Sequence, residues 1–228
     1  MTEKTQQIYT LGIVGGTGKE GKGLAYRWLL AGHKVIIGSR QYEKAQTAVD
    51  ELSEFMGFKP EGLMGMENRE AVEACDIAVI TVPYAGHKAT LEDLKDVLQG
   101  KIVIDVVVPI VPPKVTKVQM PEAGSAAQEA QAILGDACQV VDAFQNISHE
   151  RLMGKGDTDC DVLVCGKGKA ARDVVLGLVA ATGLKGWDAG PIENAVVVEG
   201  LTSVLIGLNI QHKVHASGIR ITGISDPS

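Results

Sequence analysis

The sequence predicts an α/β fold of the Rossmann type: a doubly wound, mostly parallel sheet followed by a small helical C-terminal part. Three observations carry this expectation. An apolar, β-prone run, Tyr9-Thr10-Leu11-Gly12-Ile13-Val14, leads straight into Gly16-x-Gly18-x-x-Gly21 and an Ala- and Leu-rich stretch over residues 23–31. Short apolar runs then alternate with amphipathic stretches as far as residue 188, the pattern of a parallel sheet covered by helices. The chain of 228 residues, 45% hydrophobic, is also long enough to bury a full core.

Taken in order, the first strand spans residues 9–14, its helix 18–31 and, after the turn residue Gly32, the second strand 34–37. A helix over 42–55 follows, with Ala45, Ala48, Val49 and Leu52 on one face. A short strand at 63–66 and a helix at 68–75 lead to Asp76-Ile77-Ala78-Val79-Ile80-Thr81-Val82-Pro83, read as a fully buried strand stopped by proline. A helix over 85–98 and a strand at 102–104 continue the alternation. Residues 106–113 contain three prolines, which remove donors and hold their neighbours extended, so a loop is expected there at the carboxyl end of a strand. Beyond it come a helix at 125–134, a strand at 139–143, a loop over 144–149, a strand at 161–165, a helix at 170–182 and a strand at 185–188. Gly190-Pro191 divides residues 1–190, the dinucleotide-binding part, from a small helical part, 191–228, that opens with a helix over 192–212.

Composition removes several function classes. A formal net charge of -6 argues against a general nucleic-acid binder, since a phosphate polymer is held by accumulated Lys and Arg. Cys75, Cys138, Cys160 and Cys165 form no C-x-x-C pair and lie in or beside apolar runs, so reduced, buried thiols of a cytoplasmic protein are expected, with no metal site. Residues 1–7 are polar and read as a frayed tail, not a signal peptide. The longest apolar stretch, 195–210, is interrupted by Glu199 and Asn209 and reads as a buried core helix, so no membrane span is expected. Its apolar residues suggest self-association as a homodimer.

The glycine triplet between strand and helix is the dinucleotide fingerprint. The first glycine permits the tight turn, the second lets backbone approach a pyrophosphate, and the third lets helix pack on strand. Gly16, Thr17, Gly18 and Gly21 are therefore expected at the phosphates. Lys19 can neutralise pyrophosphate. Glu20 has the wrong sign and is expected to turn away, and an exposed Lys19–Glu20 pair serves equally well. At the end of the second strand, where a carboxylate would read a ribose 2′-hydroxyl, the chain instead offers Ser39, Arg40 and, one helical turn on, Lys44. A hydroxyl, a guanidinium and an ammonium suit a 2′-phosphate and so NADP(H).

The whole sequence resembles the F-420:NADP oxidoreductase family, which reduces the 8-hydroxy-5-deazaflavin coenzyme F-420 with NADPH. The resemblance is carried by Gly15-Gly16-Thr17-Gly18-x-x-Gly21-Lys22-Gly23-Leu24-Ala25, Gly38-Ser39-Arg40-x-x-x-Lys44-Ala45, Ala74-Cys75-Asp76-Ile77-Ala78-Val79, Val164-Cys165-Gly166 and Asp188-Ala189-Gly190-Pro191-x-x-Asn194. It implies direct hydride exchange between nicotinamide C4 and deazaflavin C5, with no catalytic acid, base or nucleophile. It also implies that Thr17, Gly18, Ser39, Arg40 and Lys44 hold the adenosine phosphates, and that Val82, Pro83, Val108 and His149 line the nicotinamide side. Gln145, Asn146, Ile147 and the turn at Ser217-Gly218 would touch the deazaflavin, the Gln145 amide donating to a ring carbonyl; Gln145 and Ser148 stand where some relatives carry His and Pro.

The residues agree with this chemistry, because hydride exchange between two bound rings needs placement and exclusion of water above all. No G-x-S-x-G elbow accompanies His87 or His149, and His212 with His215 lacks the companions of a metal site. Residues 106–113 suit an apolar wall against flat rings, or a plain turn. Two other readings share the fold. A β-hydroxyacid dehydrogenase or imine reductase would draw on Glu199, Asn209 or Lys213 of the long helix. An NADP(H)-binding sensor or a flavin-using ferric reductase module would need only the nucleotide site.

Overall fold

The computed structural model describes residues 7–154 and 158–224. The expected polar tail therefore lies, apart from Gln7, outside the described residues, as do residues 225–228 of the C-terminal part. In chain order the elements are β1 (Thr10–Val14), α1 (Lys19–Leu30), β2 (Lys34–Ser39), α2 (Tyr42–Met56), β3 (Leu63–Glu67), α3 (Asn68–Ala74), β4 (Ile77–Ile80), α4 (Tyr84–Leu98), β5 (Ile102–Asp105), α5 (Ala126–Leu134), β6 (Gln139–Asp142), α6 (His149–Met153), β7 (Asp161–Gly166), α7 (Lys169–Ala181), β8 (Lys185–Gly190) and α8 (Ala195–His212).

The strands form one 8-stranded sheet in the order β3-β2-β1-β4-β5-β6-β7-β8. The first six run parallel, with Ile13 opposite both Ile37 and Val79. β7 departs from the expected alternation and pairs antiparallel to β6 through Asp142 and Cys165. The cause is α6, a five-residue helix not anticipated from the sequence: it sits at the carboxyl edge and sends the chain back without a full crossover. β4 also ends earlier than expected, at Ile80, which leaves Thr81, Val82 and Pro83 in the loop at that edge.

Side chains alternate across the sheet and both faces are covered, which is why β1 and β4 read as continuous apolar runs. Leu11, Ile13, Val35, Ile37 and Val79 pack with Leu24, Trp28 and Leu52 of α1 and α2 on one face. Val14, Ala78, Ile80 and Val103 pack with Leu91, Leu94 and Leu134 of α4 and α5 on the other. Each fully buried Leu or Ile contributes about 1.5–3 kcal/mol relative to exposure, so these two layers fix the strand ends in place. All four cysteines are buried and free, as the composition predicts.

The expectation that α8 is a buried core helix is corrected. Residues Ile192–His212 are long and apolar enough to cross a membrane by length and composition, yet only a third of that stretch is buried. One side of α8, including Ala195, Val198, Glu199, Ser203 and Leu205, is covered. Val197, Val204 and Ile210 stay exposed. The covered side is polar as well as apolar because it caps another helix and closes a cavity.

Candidate active site

The turn between β1 and α1 is built from Gly15 onward. Gly15 has φ +70, so the left-handed residue of the turn is one position before the first glycine of the fingerprint. Asn68 Oδ1 accepts from the Gly15 amide at 3.1 Å and fixes the loop from the neighbouring α3. A Cβ on Gly21 would lie 2.7 Å from Gly16 Cα, the close helix–turn approach that the third glycine permits. At Gly18 a Cβ would meet only Gly15 O, at 4.0 Å. Its position opens into the cavity instead, where a ligand can come against backbone.

Three cavities follow one another along the carboxyl edge of the sheet. The first, of about 870 Å³, is lined by Thr17, Gly18, Ser39, Arg40, Lys44 and Asn68 and runs to Thr81, Val82 and Pro83. The second, about 300 Å³, begins at those last three residues and extends past Tyr84 to Glu20, Val106, Val108 and Ile110. The third, about 450 Å³, shares Glu20, Val106, Val108 and Ile110 and ends on Gln145, Asn146, Ile147, His149 and Ser217. One trough thus joins the cationic end at Arg40 to the loop before α6. Among the described residues Arg40 and Lys44 are exposed and take part in no ion pair, so both charges are available to an anion. Lys19 is exposed and lines none of the three cavities.

Glu20 turns away from the phosphate end, as its sign requires, but does not pair with Lys19. It is partly buried between the second and third cavities, and Oε1 has neither exposed surface nor a hydrogen-bond partner among the described residues. Burial pushes its carboxyl up from 4.5 to about 8.

The far end of the trough is held from beneath. Gln145 Nε2 donates to Asp105 O at 2.6 Å and to the Asp142 carboxylate, and Asn146 Nδ2 donates to Val198 O at 2.9 Å. The expectation that the Gln145 amide donates to a ring carbonyl is corrected: its hydrogens are spent on the floor, and its oxygen is the group left without a partner. Phe144, at φ 76, turns the chain into this loop, a conformation that costs a bulky residue roughly 1–3 kcal/mol. Edge-on packing against buried Trp28, with ring centres 5.7 Å apart, helps hold it. Arg27 of α1 clamps α6 by donating to Leu152 O, Arg151 O and Gly154 O at 2.6–2.9 Å, which sets His149 at the cavity wall.

Below that floor lies a buried acidic cluster. His87 Nε2 is 2.8 Å from Asp105 Oδ2, and Glu129 Oε2 is 3.9 Å from His87 Nδ1. Glu199 reaches from α8 to accept from the Ala126 and Ala127 amides at 2.7 and 3.0 Å, beside the Ser125 cap, so every early amide of α5 has a partner. Burial nevertheless outweighs these bonds and raises Glu199 to about 7. Asp142 is raised as well, by burial first and then by Glu199 and Asp105. Glu199 therefore serves as a helix cap rather than facing the trough, and Lys213 is exposed beyond the helix end. Of the polar groups on α8, Thr202 and Asn209 do line the third cavity, together with Leu205, Ile206 and His215. Thr202 and His215 had no local signal, and the return of α8 over the sheet edge brings them there; Phe144 arrives with the loop after β6. No group of three His, Cys, Asp or Glu suited to a metal occurs among the described residues.

These residues fit a dinucleotide followed by a second flat ring: an open backbone cradle at Gly18, free cations at one end, apolar walls at Val82 and Val108, and an unpartnered amide oxygen at the other. A family model described as "NADP oxidoreductase coenzyme F420-dependent" matches residues 10–109. The F420-dependent NADP reductase of Methanocaldococcus jannaschii is 39% identical over 94% of this chain and 98% of its own length. That of Methanothermobacter marburgensis is 38% identical over 95% and 99%. Among solved structures, a putative F420-dependent NADP-reductase from an Arthrobacter species superposes with a TM-score of 0.78 at 23% identity, covering 94% of this chain and 100% of that one, which supports the fold. With near-complete coverage at this identity, the chain belongs to the F420-dependent NADP reductase family.

Proposed function

We propose that each part of the trough serves one part of an NADPH-dependent reduction of coenzyme F420, and that the continuity of the three cavities is the observation that carries this assignment. Ser39, Arg40 and Lys44 hold the 2′-phosphate through charge-assisted hydrogen bonds. Thr17 and Gly18 receive the pyrophosphate at the start of α1, with Gly16 and Gly21 shaping the turn. Lys19 acts at longer range from its exposed position. Val82, Pro83 and Val108 flank the nicotinamide, and Asn146, Ile147, His149, Ser217 and the Gln145 oxygen surround the deazaflavin, with Glu20 between the two. When bound, the nicotinamide supplies a hydride and the deazaflavin takes it. The chain's own contribution is alignment and exclusion of water by the walls at residues 106–110. On this reading residues 1–190 hold NADP(H), and residues 191–228 close the deazaflavin end.

Net charge -6 supports small-molecule cofactors over nucleic acid as partners, and four buried free thiols suit a cytoplasmic location. The exposed apolar stripe of α8 supports a homodimer rather than a membrane anchor, because another face of the same helix carries Thr202 and Asn209 into the trough.

Anaerobic spectrophotometry tests the assignment. Mixing the protein with NADPH and the deazaflavin is expected to bleach the visible band, and NADH is expected to do so far more slowly. Absence of bleaching, together with turnover of a small carbonyl or imine substrate, would transfer the site to the dehydrogenase reading.

A further inference from the structure

Among the described residues Glu20 is the one carboxyl lining the trough, and nothing around it explains it. Of its neighbours on α1, Lys19 is exposed and lines none of the three cavities, and Lys22 is paired with Glu51 at 2.6 Å. The other titratable side chains lining the two cavities it borders are Tyr84 from α4, His149 at the start of α6 and His215 after α8. On α6, Glu150 is exposed and Arg151 donates to Ala216 O at 2.6 Å. Among the described residues no Lys or Arg lines either cavity. A carboxyl with a buried, unbonded oxygen and no cation beside it rests in the neutral form.

Its place is the junction. Glu20 borders the second cavity, between Val82 and Val108, and the third, toward Gln145 and His149. Resting on the proposed placement of the two rings, this puts one titratable oxygen between the ring that becomes cationic when it loses a hydride and the ring that gains one. We propose that Glu20 carries the proton of the reaction, holding it while the adjacent nicotinamide is neutral and releasing it toward the deazaflavin side when that nicotinamide is a cation. The balance closes. NADPH, the deazaflavin and one proton give NADP⁺ and the dihydrodeazaflavin. A C–H bond breaks at the nicotinamide and its electron pair forms the new C–H bond. The O–H bond of Glu20 breaks as an N–H bond forms on the reduced ring, and solvent returns the proton to the carboxylate. The carboxylate left behind offsets the nicotinamide's positive charge, so one proton movement neutralises both sites.

The same linkage exists without any deazaflavin, because NADP⁺ alone brings the cation to Glu20. Calorimetric titration of the full chain with NADP⁺ and with NADPH, in two buffers of different ionisation enthalpy, reads it directly. Wild-type protein at about pH 7.5 is expected to release a proton on binding NADP⁺ and not on binding NADPH. The ratio of NADP⁺ to NADPH affinity should rise with pH, approaching tenfold per unit below about 8, where the carboxyl titrates. The 2′-phosphate cancels in that ratio. Glu20→Gln should flatten it. A wild-type ratio that is flat with pH, or one whose slope survives Glu20→Gln in a nucleotide-binding protein, overturns the proposal. Arg40→Ala in the same titration separates the underlying site: NADPH affinity unmoved by that change overturns the cavity assignment itself, whatever Glu20 does.

Discussion

His87 Nε2 lies 2.8 Å from Asp105 Oδ2, with both side chains fully buried beneath the floor of the trough. Burial alone would lower the imidazole, but Asp105, with Glu129 and Glu199 beyond it, leaves it raised above 6.5. Glu199, raised from 4.5 to about 7, and Glu20, raised to about 8, shift in the same direction. A group whose folded value is raised stabilises the fold fully below its unfolded value and loses that contribution as pH climbs through the folded one. The nucleotide-free protein is therefore expected to melt at a higher temperature near about pH 5.5 than near about pH 8.5. Asp96, Asp136 and Asp188, held below 3.8 by Arg69, Lys167 and Arg172, weaken the fold only in more acidic solution. Glu199→Gln should reduce the alkaline slope while keeping an acceptor for the start of α5. Thermal melts across this range check both, and an equal or higher melting temperature at the alkaline end refutes the account.

Arg40 and Lys44 stand exposed at one end of the largest of the three cavities, with no acidic partner among the described residues. Removing the guanidinium by Arg40→Ala is expected to weaken NADPH by about 1.5–3 kcal/mol, roughly 10- to 150-fold, and to leave NADH nearly unchanged. Because the pair is open to solvent, added salt should weaken NADPH more than NADH in the wild type. Equal loss for both nucleotides on Arg40→Ala would move the 2′-phosphate elsewhere.

The phosphate end was legible in the sequence because its signals are local: strand, glycine turn and helix are contiguous, and Arg40 and Lys44 are one helical turn apart. The far end was legible only in part. Gln145, Asn146 and Ile147 do line the cavity, yet the amide that a motif would assign to a ligand is consumed by Asp105 and Asp142, two strand ends that meet only when β5 and β6 pair. The apolar run after Gly190-Pro191 identified α8 but not its orientation. A uniformly apolar helix carries little information about which face is buried, so Glu199 as a cap on α5 and Thr202 and Asn209 in the trough emerged only from packing. Phe144 at positive φ, and α6 with its reversal of β7, depend on contacts to Trp28 and Arg27 more than a hundred residues earlier in the chain. For Glu20 the sign of the charge correctly excluded the phosphates, but nothing local said where the side chain would go.

Gly18 and Gly21 make contrasting predictions within one motif. Gly18 has φ -73 and ψ 168, which a branched residue adopts freely, and a Cβ there meets no atom nearer than 4.0 Å. Gly18→Val should therefore fold with little change in melting temperature, yet lose NADPH and NADH alike, because the side chain fills the path of the pyrophosphate. Gly21→Ala places a methyl 2.7 Å from the Gly16 backbone and should destabilise the protein itself. Melting curves with nucleotide titrations separate the two, and retained nucleotide affinity in folded Gly18→Val would remove the fingerprint from the site.

On α8, Val197, Leu201, Val204 and Leu208 follow an i, i+4, i+7, i+11 spacing, which aligns them in one stripe. Val197 is 62% exposed and Val204 49%. Thr202, Leu205 and Asn209 lie about a quarter turn or more around the helix, on the side that closes the third cavity. A stripe of this kind is self-complementary about a two-fold axis, and a second copy would cover it without disturbing the trough. Light scattering behind size exclusion is expected to find a dimer for the wild type and a monomer for Val197→Asp/Val204→Asp, with NADPH affinity at the Arg40 end preserved in both. A monomeric wild type, or a double variant that still elutes as a dimer, would remove α8 from the interface. Binding of the wild type to lipid vesicles, abolished by the same substitutions, would instead assign the stripe to a membrane surface.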